Sequence, residues 1–398
     1  MDRQKRDLDL LDGDFYVNDP YPTYAWLRAN APAYWDATNE LWGISRYDDI
    51  VEIEKRKDVF VNSDQAKGGY RPNIPADPSI IGLDDPKHAE RRNLVSRRFT
   101  PRAVTRWEDH VRDTVKDLVD GALAKGRIDV VDDLAAPLPA QMIGFLLGFP
   151  DEAWRQLMEW SERTIHLGGG PRYHDEDGIA AAMEFAAACA ELYETKKGCP
   201  ADDVMSVYTE VEQRGLKHQD FGVGEVISDS LLLLDGGAET TRTVIGRTIL
   251  ALTEHPEQWE KIKGGADIDV AVEEFIRYVT PILNMCRVAT RDHEIGGETI
   301  RAGQQVVLMY PSANRDEAHF TDADALDVTR SPNNHIAFGF GTHFCLGASL
   351  ARLEIKAMFE ELRDRVDRFE RPADGRVVDI PNSFVHGLKY ADIELIPA

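Results

Sequence analysis

One cysteine constrains this chain more than any other residue. Cys345 lies in the run Phe338-Gly339-Phe340-Gly341-Thr342-His343-Phe344-Cys345-Leu346-Gly347, and an amphipathic helical pattern from Ala348 to Met358 follows at once. Gly339 and Gly341 let the backbone turn tightly and approach a flat partner. Gly347 sets no side chain in the way. A helix that begins just behind Cys345 aims free N–H groups and its positive dipole end at the sulfur, which lowers the thiol pKa and holds a thiolate. Taken alone, a single cysteine is more often a small buried hydrophobe. A thiolate so placed can instead ligate a haem iron axially and push electron density toward it.

Upstream, Leu231-Leu232-Leu233-Leu234-Asp235-Gly236-Gly237-Ala238-Glu239-Thr240-Thr241 sets two glycines inside an apolar helical pattern. Glycine costs helix stability, so the pair needs a packing or functional reason. Close approach of the helix to a bound group is such a reason. Glu239-Thr240 puts an acid beside an alcohol, a pairing that organises water for proton transfer. The plainer alternative is an exposed acid and a threonine bonded back to its own helix. Glu274 and Arg277 stand three apart on one helix face, where they can pair. Such a pair is worth little when exposed. His88 and Arg92 stand four apart, again on one face.

Together these runs resemble the cytochrome P-450 family. The spacing Phe-x-x-Gly-x-x-x-Cys-x-Gly, carried by Phe338, Gly341, Cys345 and Gly347, is similar to its haem-ligand loop. The string from Gly236 to Thr241 resembles the signature of its long central helix. Glu274 and Arg277 resemble its buried structural pair, completed by a second arginine from a stretch like Ser312 to Arg330. Arg330 is the candidate for that third member. Leu326 stands where the family often has phenylalanine, which keeps an apolar side chain there.

The resemblance implies a mainly α fold with small β-sheets, a single domain over residues 1–398, and haem b as cofactor. It makes Cys345 the iron ligand and Phe338, Gly339 and Gly347 the loop against the haem. It makes His88, Arg92, Arg287 and His335 the partners of the haem propionates, whose burial demands cations or hydrogen-bond donors. Glu239 and Thr240 become the proton-delivery pair. The activity implied is that of a haem-thiolate monooxygenase, which inserts one oxygen atom of O₂ into a C–H bond. Its electrons come from a separate partner, a ferredoxin or flavodoxin with an NAD(P)H-dependent reductase. A peroxygenase or a non-catalytic haem sensor are the alternatives, and neither needs the acid–alcohol pair.

Four stretches resemble one soluble bacterial group within the family. They are Asp7 to Tyr16, Asp133 to Pro139, Asn284 to Arg287, and Ala337 to Gly347. Members of that group hydroxylate the terminal methyl of cholesterol-type side chains or of methyl-branched lipids. This implies a small apolar substrate, most simply a cholestenone-type sterol held tail toward the iron, with terpenes, polyketides and fatty acids as alternatives. Three variable regions are expected to line the pocket: Lys67 to Gly82, read as a mobile loop, Glu159 to Tyr193, and Ser383 to Leu388. Gly168-Gly169-Gly170-Pro171 breaks two helices in the second, as a closing lid requires. The apolar candidates for contact are Ile282, Leu283, Met285, Val385 and Leu388; core packing is the plainer alternative for each.

Composition narrows the classes. The 398 residues carry a net charge of −24, so no basic footprint for nucleic acid is present. Yet Lys87 to Arg106 holds seven cations (Lys87, Arg91, Arg92, Arg97, Arg98, Arg102 and Arg106) against the single acid Glu90. Two readings stand side by side: a solvated face, or a dock for an acidic electron donor. No run of about 18 apolar residues is present, so no membrane span is expected. The start, Met1 to Arg6, has no apolar segment like that of a signal peptide, and the cysteines number only four. Both point to reduced thiols and a cytoplasmic location.

Helical spacing predicts helices over Thr105–Leu123, Asp151–Ile165, Asp177–Lys196, Phe221–Glu254 and Val270–Tyr278. Strands are expected at Leu41–Ser45, Val306–Met309 and Ile393–Leu395, with a hairpin turn at Gly296-Gly297.

Overall fold

The computed structural model describes residues 7–213 and 221–398; the reading of Met1 to Arg6 lies outside the described residues. The helices that build the site are, in chain order, α1 (Tyr47–Lys55), α2 (Lys87–Val95), α3 (Pro137–Leu147), α4 (Trp154–Thr164), α5 (Glu176–Gly198), α6 (Val223–Glu254), α7 (Ile268–Val279) and α8 (Ala348–Arg365). The expected helix at Thr105–Leu123 runs from Glu108 to Lys125, behind a single 3₁₀ turn at Thr105–Trp107.

Helix α6 is the axis of the molecule. Its 32 residues span about 48 Å at 1.5 Å per residue. At its start the Gly222 N–H donates to the Glu225 carboxylate (2.7 Å), which satisfies one of the unpaired donors of the first turn. Apolar residues occur around most of its circumference because α3, α4, α5, α7 and α8 all pack on it. Side-chain caps begin two of these partners. Asp175 accepts from the Gly178 N–H (2.7 Å) before α5, and Asp267 from the Asp269 N–H (2.9 Å) before α7.

The strands are short: β1 (Ala33–Asp36), β2 (Leu41–Ile44), β3 (Phe60–Val61), β4 (Arg127–Asp129), β5 (Asn284–Ala289), β6 (His293–Ile295), β7 (Glu298–Ile300), β8 (Gln305–Met309), β9 (Val366–Glu370), β10 (Val377–Asp379) and β11 (Leu388–Pro397). One sheet has the order β1-β2-β8-β5-β3, with β2 and β8 parallel and Leu41 opposite Gln305. A second is built on β11, which pairs with β10, β4 and β9. Gly296 and Gly297 join β6 to β7 with φ of 61° and 84°, the left-handed pair that a two-residue hairpin turn requires.

Glu274 and Arg277 on α7 are wholly buried, not an exposed surface pair. Arg277 Nε and Nη2 reach the two carboxylate oxygens at 2.7 and 2.8 Å. The same guanidinium donates to the carbonyls of Asn314, Ala323 and Ala325. Arg330 Nε closes on Glu274 from the other side at 3.1 Å. One ion pair thus ties the irregular chain from 314 to 330 onto the helix ahead of the cysteine loop. Leu326 is buried in the main core.

The stretch 67–82 carries no helix beyond a 3₁₀ turn at Ile80–Gly82. It is tied to the first sheet: Cys286 N–H donates to the Tyr70 carbonyl (2.9 Å), and the Gln305 amide donates to the carbonyls of Lys67 and Arg71. Among the described residues no helix is long and apolar enough to cross a membrane.

Candidate active site

Cys345 sits on the floor of a cavity enclosed by α6, the 67–82 stretch, the start of β5 and the end of α4. The loop that carries it is closed by its own backbone: Cys345 N–H donates to the Phe338 carbonyl at 2.9 Å. Gly339 and Gly341 lie at φ of 71° and 70°. A Cβ on Gly341 would come within 2.7 Å of the Glu54 carbonyl, so α1 packs against the loop only because this residue is glycine. A Cβ on Gly347 would meet nothing within 4 Å. Helix α8 starts at Ala348, and the N–H groups of Gly347 and Ala348 point at the sulfur. Burial pushes the Cys345 thiol up; those two N–H groups and the charges of Arg92 and Arg352 pull it down.

Two arginines and two histidines gather at one wall. His88, Arg92, Arg287 and His343 all line the cavity. The His88 and His343 rings lie 4.2 Å apart. Arg92 donates to the Phe344 carbonyl (2.5 Å), and Arg287 to the Cys286 carbonyl (2.7 Å) and to Glu54 (3.2 Å). Burial lowers the His343 pKa to about 2, helped by the charges of Arg287, His88 and Arg92. His88 is lowered too, first by burial, with Asp85 acting against it. Its Nε2 is buried without a partner among the described residues. The two guanidinium charges of Arg92 and Arg287, set beside this orphaned imidazole nitrogen, fit the wall to anionic groups. Two carboxylates at the edge of a flat macrocycle fit it.

His335 is not part of this wall. It bonds Glu273 at 3.1 Å, and Arg352 grips the same carboxylate from outside. His343, two residues before the cysteine, takes the place expected of His335. The missed signal was local: His343 shares the cysteine loop, whereas His335 precedes it.

Above the floor, α6 presents Asp235, Gly236, Gly237, Thr240 and Thr241 to the cavity. A Cβ on Gly236 would meet nothing within 4 Å, so the helix borders open space there. Thr240 faces that space and donates to the Gly236 carbonyl one turn back (2.8 Å). Glu239 does not face it. Its carboxylate is buried behind the helix against Arg242 Nη1 (3.1 Å), and the same nitrogen lies 3.8 Å from Glu162. Burial raises the Glu239 pKa, and Arg242 opposes the rise.

Of the apolar candidates, Ile282 and Met285 line the cavity. Leu283, Val385 and Leu388 do not. Leu283, just ahead of β5, packs among Leu10, Tyr16 and Met309. Val385 packs with Ile165 beneath Phe384 and bridges Ile282 by backbone, and Leu388 belongs to the main core. Phe384, Ile165, Leu167 and Ile80 supply the wall instead.

The basic segment is less free than its composition implies. Arg91 is buried against Asp229 (2.8 Å), and Arg98 pairs with Asp202 (2.7 Å). Lys87, Arg97 and Arg102 are exposed, as is Arg106, which also reaches Asp202 at 3.7 Å. Phe340 and Phe344, on the outer side of the cysteine loop, are exposed large hydrophobics, with Lys55 Nζ 5.1 Å from the Phe340 ring centre.

Known proteins match this chain along nearly its whole length. The family model described as cytochrome P-450 matches residues 268–372. The steroid C26-monooxygenase of Mycobacterium tuberculosis (strain ATCC 25618 / H37Rv) is 36% identical, over 98% of this chain and 98% of that one. The linalool 8-monooxygenase of Pseudomonas putida is 32% identical, over 98% and 99%. Among solved structures, a Bacillus megaterium cytochrome P-450 in complex with testosterone superposes with a TM-score of 0.87, at 32% identity over 96% of this chain and 99% of that one. The chain therefore belongs to the cytochrome P-450 family: it is a haem-thiolate monooxygenase whose cofactor is haem b.

Proposed function

We propose that Cys345 would ligate the haem iron, that His88, Arg92, Arg287 and His343 would hold its propionates, and that the substrate is a sterol oxidised on its side chain. The observation that carries the site assignment is the joint placement of a sulfur under two helix N–H groups and of two arginines and two histidines in one cavity. Haem with a thiolate ligand supplies O₂ activation and C–H oxidation when bound.

The protein supplies position, dryness and protons. Ile80, Ile165, Leu167, Ile282, Met285 and Phe384 exclude water and hold an apolar chain. Attack on a primary methyl is harder than attack on a neighbouring tertiary carbon, so the walls must hold the tail end-on. Thr240 presents its hydroxyl to the cavity, and Glu239 with Arg242 and Glu162 forms a chain of charged groups from the partly exposed α4 to the residue beside it. Opening of the Glu239–Arg242 pair frees the acid to pass protons toward Thr240.

The steroid reading is supported by the 36% identity to the mycobacterial steroid C26-monooxygenases. Optical titration of the ferric enzyme with cholest-4-en-3-one tests it, because a substrate that displaces axial water moves the Soret band toward the high-spin form. Product must then carry oxygen on the side chain. Ring oxidation, or no spin shift, favours a terpene such as linalool, the substrate named for the Pseudomonas relative.

Electrons come from a separate redox partner. An acidic ferredoxin or flavodoxin fits the exposed Arg97, Arg102 and Arg106 beside Phe340 and Phe344. We place the enzyme in the cytoplasm, where such a donor and its NAD(P)H-dependent reductase work.

A further inference from the structure

Asp235 interrupts a run of four leucines and is carried by α6 into a largely apolar cavity. Nothing in the proton path described above uses it. Burial pushes its carboxyl well above the ordinary carboxylate range. Among the described residues it makes no ion pair. The nearest guanidinium, Arg71, is committed to Asp77 (3.0 Å), which also accepts from the Tyr70 hydroxyl (2.9 Å) and from the Ser79 N–H and hydroxyl. The Ser161 hydroxyl lies near both Asp235 and Glu239 but outside hydrogen-bond geometry with either.

Its one hydrogen-bond partner is Thr164, at the end of α4. The Thr164 oxygen lies 2.8 Å from Asp235 Oδ1 and 2.8 Å from the Trp160 carbonyl. A hydroxyl has a single proton to donate. The Trp160 carbonyl can only accept, so it takes the Thr164 proton. The short contact to Asp235 then needs its proton from the carboxyl itself. Asp235 is therefore a neutral acid that donates through Oδ1 to Thr164. Oδ2 remains a carbonyl-type acceptor with no partner among the described residues, on a residue that lines the cavity. A neutral acceptor suits an apolar pocket: it avoids the cost of a buried charge yet is penalised when left unpaired.

We propose that Asp235 is a specificity-determining residue, whose free oxygen accepts a hydrogen bond from a hydroxyl of the substrate, so that the enzyme selects apolar alcohols over hydrocarbons, ethers and ketones of the same shape. This rests on the monooxygenase reading of the cavity but not on the sterol skeleton. A ketone or ether offers only lone pairs to an oxygen that has no proton to give. A hydrocarbon leaves that oxygen dry and unpaired.

The haem-loaded enzyme and its Asp235→Leu and Asp235→Asn variants are titrated with two sets of probes, read by the Soret spin shift. One set is decane, 1-decanol and methyl decyl ether; the other is cholestane, cholesterol and cholest-4-en-3-one. In at least one set the native enzyme binds the alcohol about tenfold more tightly than its partners, the worth of one good buried hydrogen bond. Asp235→Leu erases that preference. Asp235→Asn keeps it, because the amide donates to Thr164 and retains an acceptor. Equal binding of alcohol and ether by the native enzyme overturns the proposal, as does a preference that survives in Asp235→Leu or the absence of a shift with every probe.

The carbon monoxide band of the same preparations separates the two readings: its absence sinks the haem assignment, whereas its presence without an alcohol preference sinks only the role of Asp235. Infrared difference spectra give a readout independent of haem. The carbonyl stretch of a protonated carboxyl should be present, be lost in Asp235→Asn, and move to lower frequency with 1-decanol. No such band overturns the proposal even if Asp235→Leu fails to fold.

Discussion

Arg277 and Glu274 meet through two parallel hydrogen bonds of 2.7 and 2.8 Å with neither side chain exposed to solvent. A buried pair of this kind is costly to break, because the survivor is left charged and dry. Removal of one partner costs about 3–5 kcal/mol. Arg277→Ala also frees the carbonyls of Asn314, Ala323 and Ala325, so the chain that leads toward the cysteine loop loosens with it. The expected result is a large drop in the urea midpoint and poor retention of haem. A loss below ~1 kcal/mol would show that Arg330 and Asn333 alone suffice.

Cys345→Ala should abolish the red-shifted Soret band of the reduced carbon monoxide complex, which thiolate ligation produces. His343→Ala should leave the band in place but weaken haem retention, because it removes only one of the four proposed propionate partners. The same weakening by His335→Ala would contradict the exclusion of His335 from the cavity wall.

Thr240→Ala should lower the product formed per NADPH consumed, with the balance lost as peroxide. The hydroxyl is the group that α6 presents beside Gly236, and Glu239 stands behind it. Glu239→Gln should slow turnover as well, since the amide can hold Arg242 but cannot release a proton. Unchanged coupling in both variants would remove the relay.

Glu354 on α8 is buried beside the Thr241 hydroxyl, and burial raises its pKa from 4.5 to about 8. The folded state thus binds one more proton than the unfolded chain across that window. Stability from this group is fully present below pH 4.5 and is lost as pH rises toward 8. Glu354→Gln cannot ionise, so its stability relative to the native chain should rise with pH between those limits. One pKa unit corresponds to about 1.4 kcal/mol, and the gain from pH 5 to pH 8 should be at least that. A difference independent of pH would place the carboxyl in a more polar setting than its contacts imply.

Charge reversal at Arg97 and Arg102 should slow reduction by an acidic ferredoxin while sparing peroxide-driven turnover. The defect should fade as salt rises, because exposed charges are screened over about 8 Å at physiological ionic strength. Equal slowing by both routes would indicate damage to the fold. Arg91 and Arg98 are left out of this test because each already holds a carboxylate of its own.

The sequence by itself determined what is local in the chain. The glycines at 339 and 341, the helix start behind Cys345 and the Glu274–Arg277 spacing each state their conformation within a few residues, and so do the hairpin glycines 296 and 297. The family likeness could be read from them. Only the tertiary structure decided which way side chains point once elements pack. Leu283 and Met285 are two residues apart, where strand alternation would put them on one face, yet one packs among the N-terminal residues and the other lines the cavity, because Leu283 precedes β5 and its N–H is paired to the Phe384 carbonyl. His335 and His343 are both histidines near the cysteine, and the helix that carries Glu273 captured the first. Arg91 looked like a surface charge until Asp229, far along the chain, was folded against it. Asp235 and Thr164 lie 71 residues apart, so no spacing rule could have joined them. Their shared proton exists because α4 is pressed onto α6, and the packing of those two helices leaves a free polar acceptor in the apolar pocket.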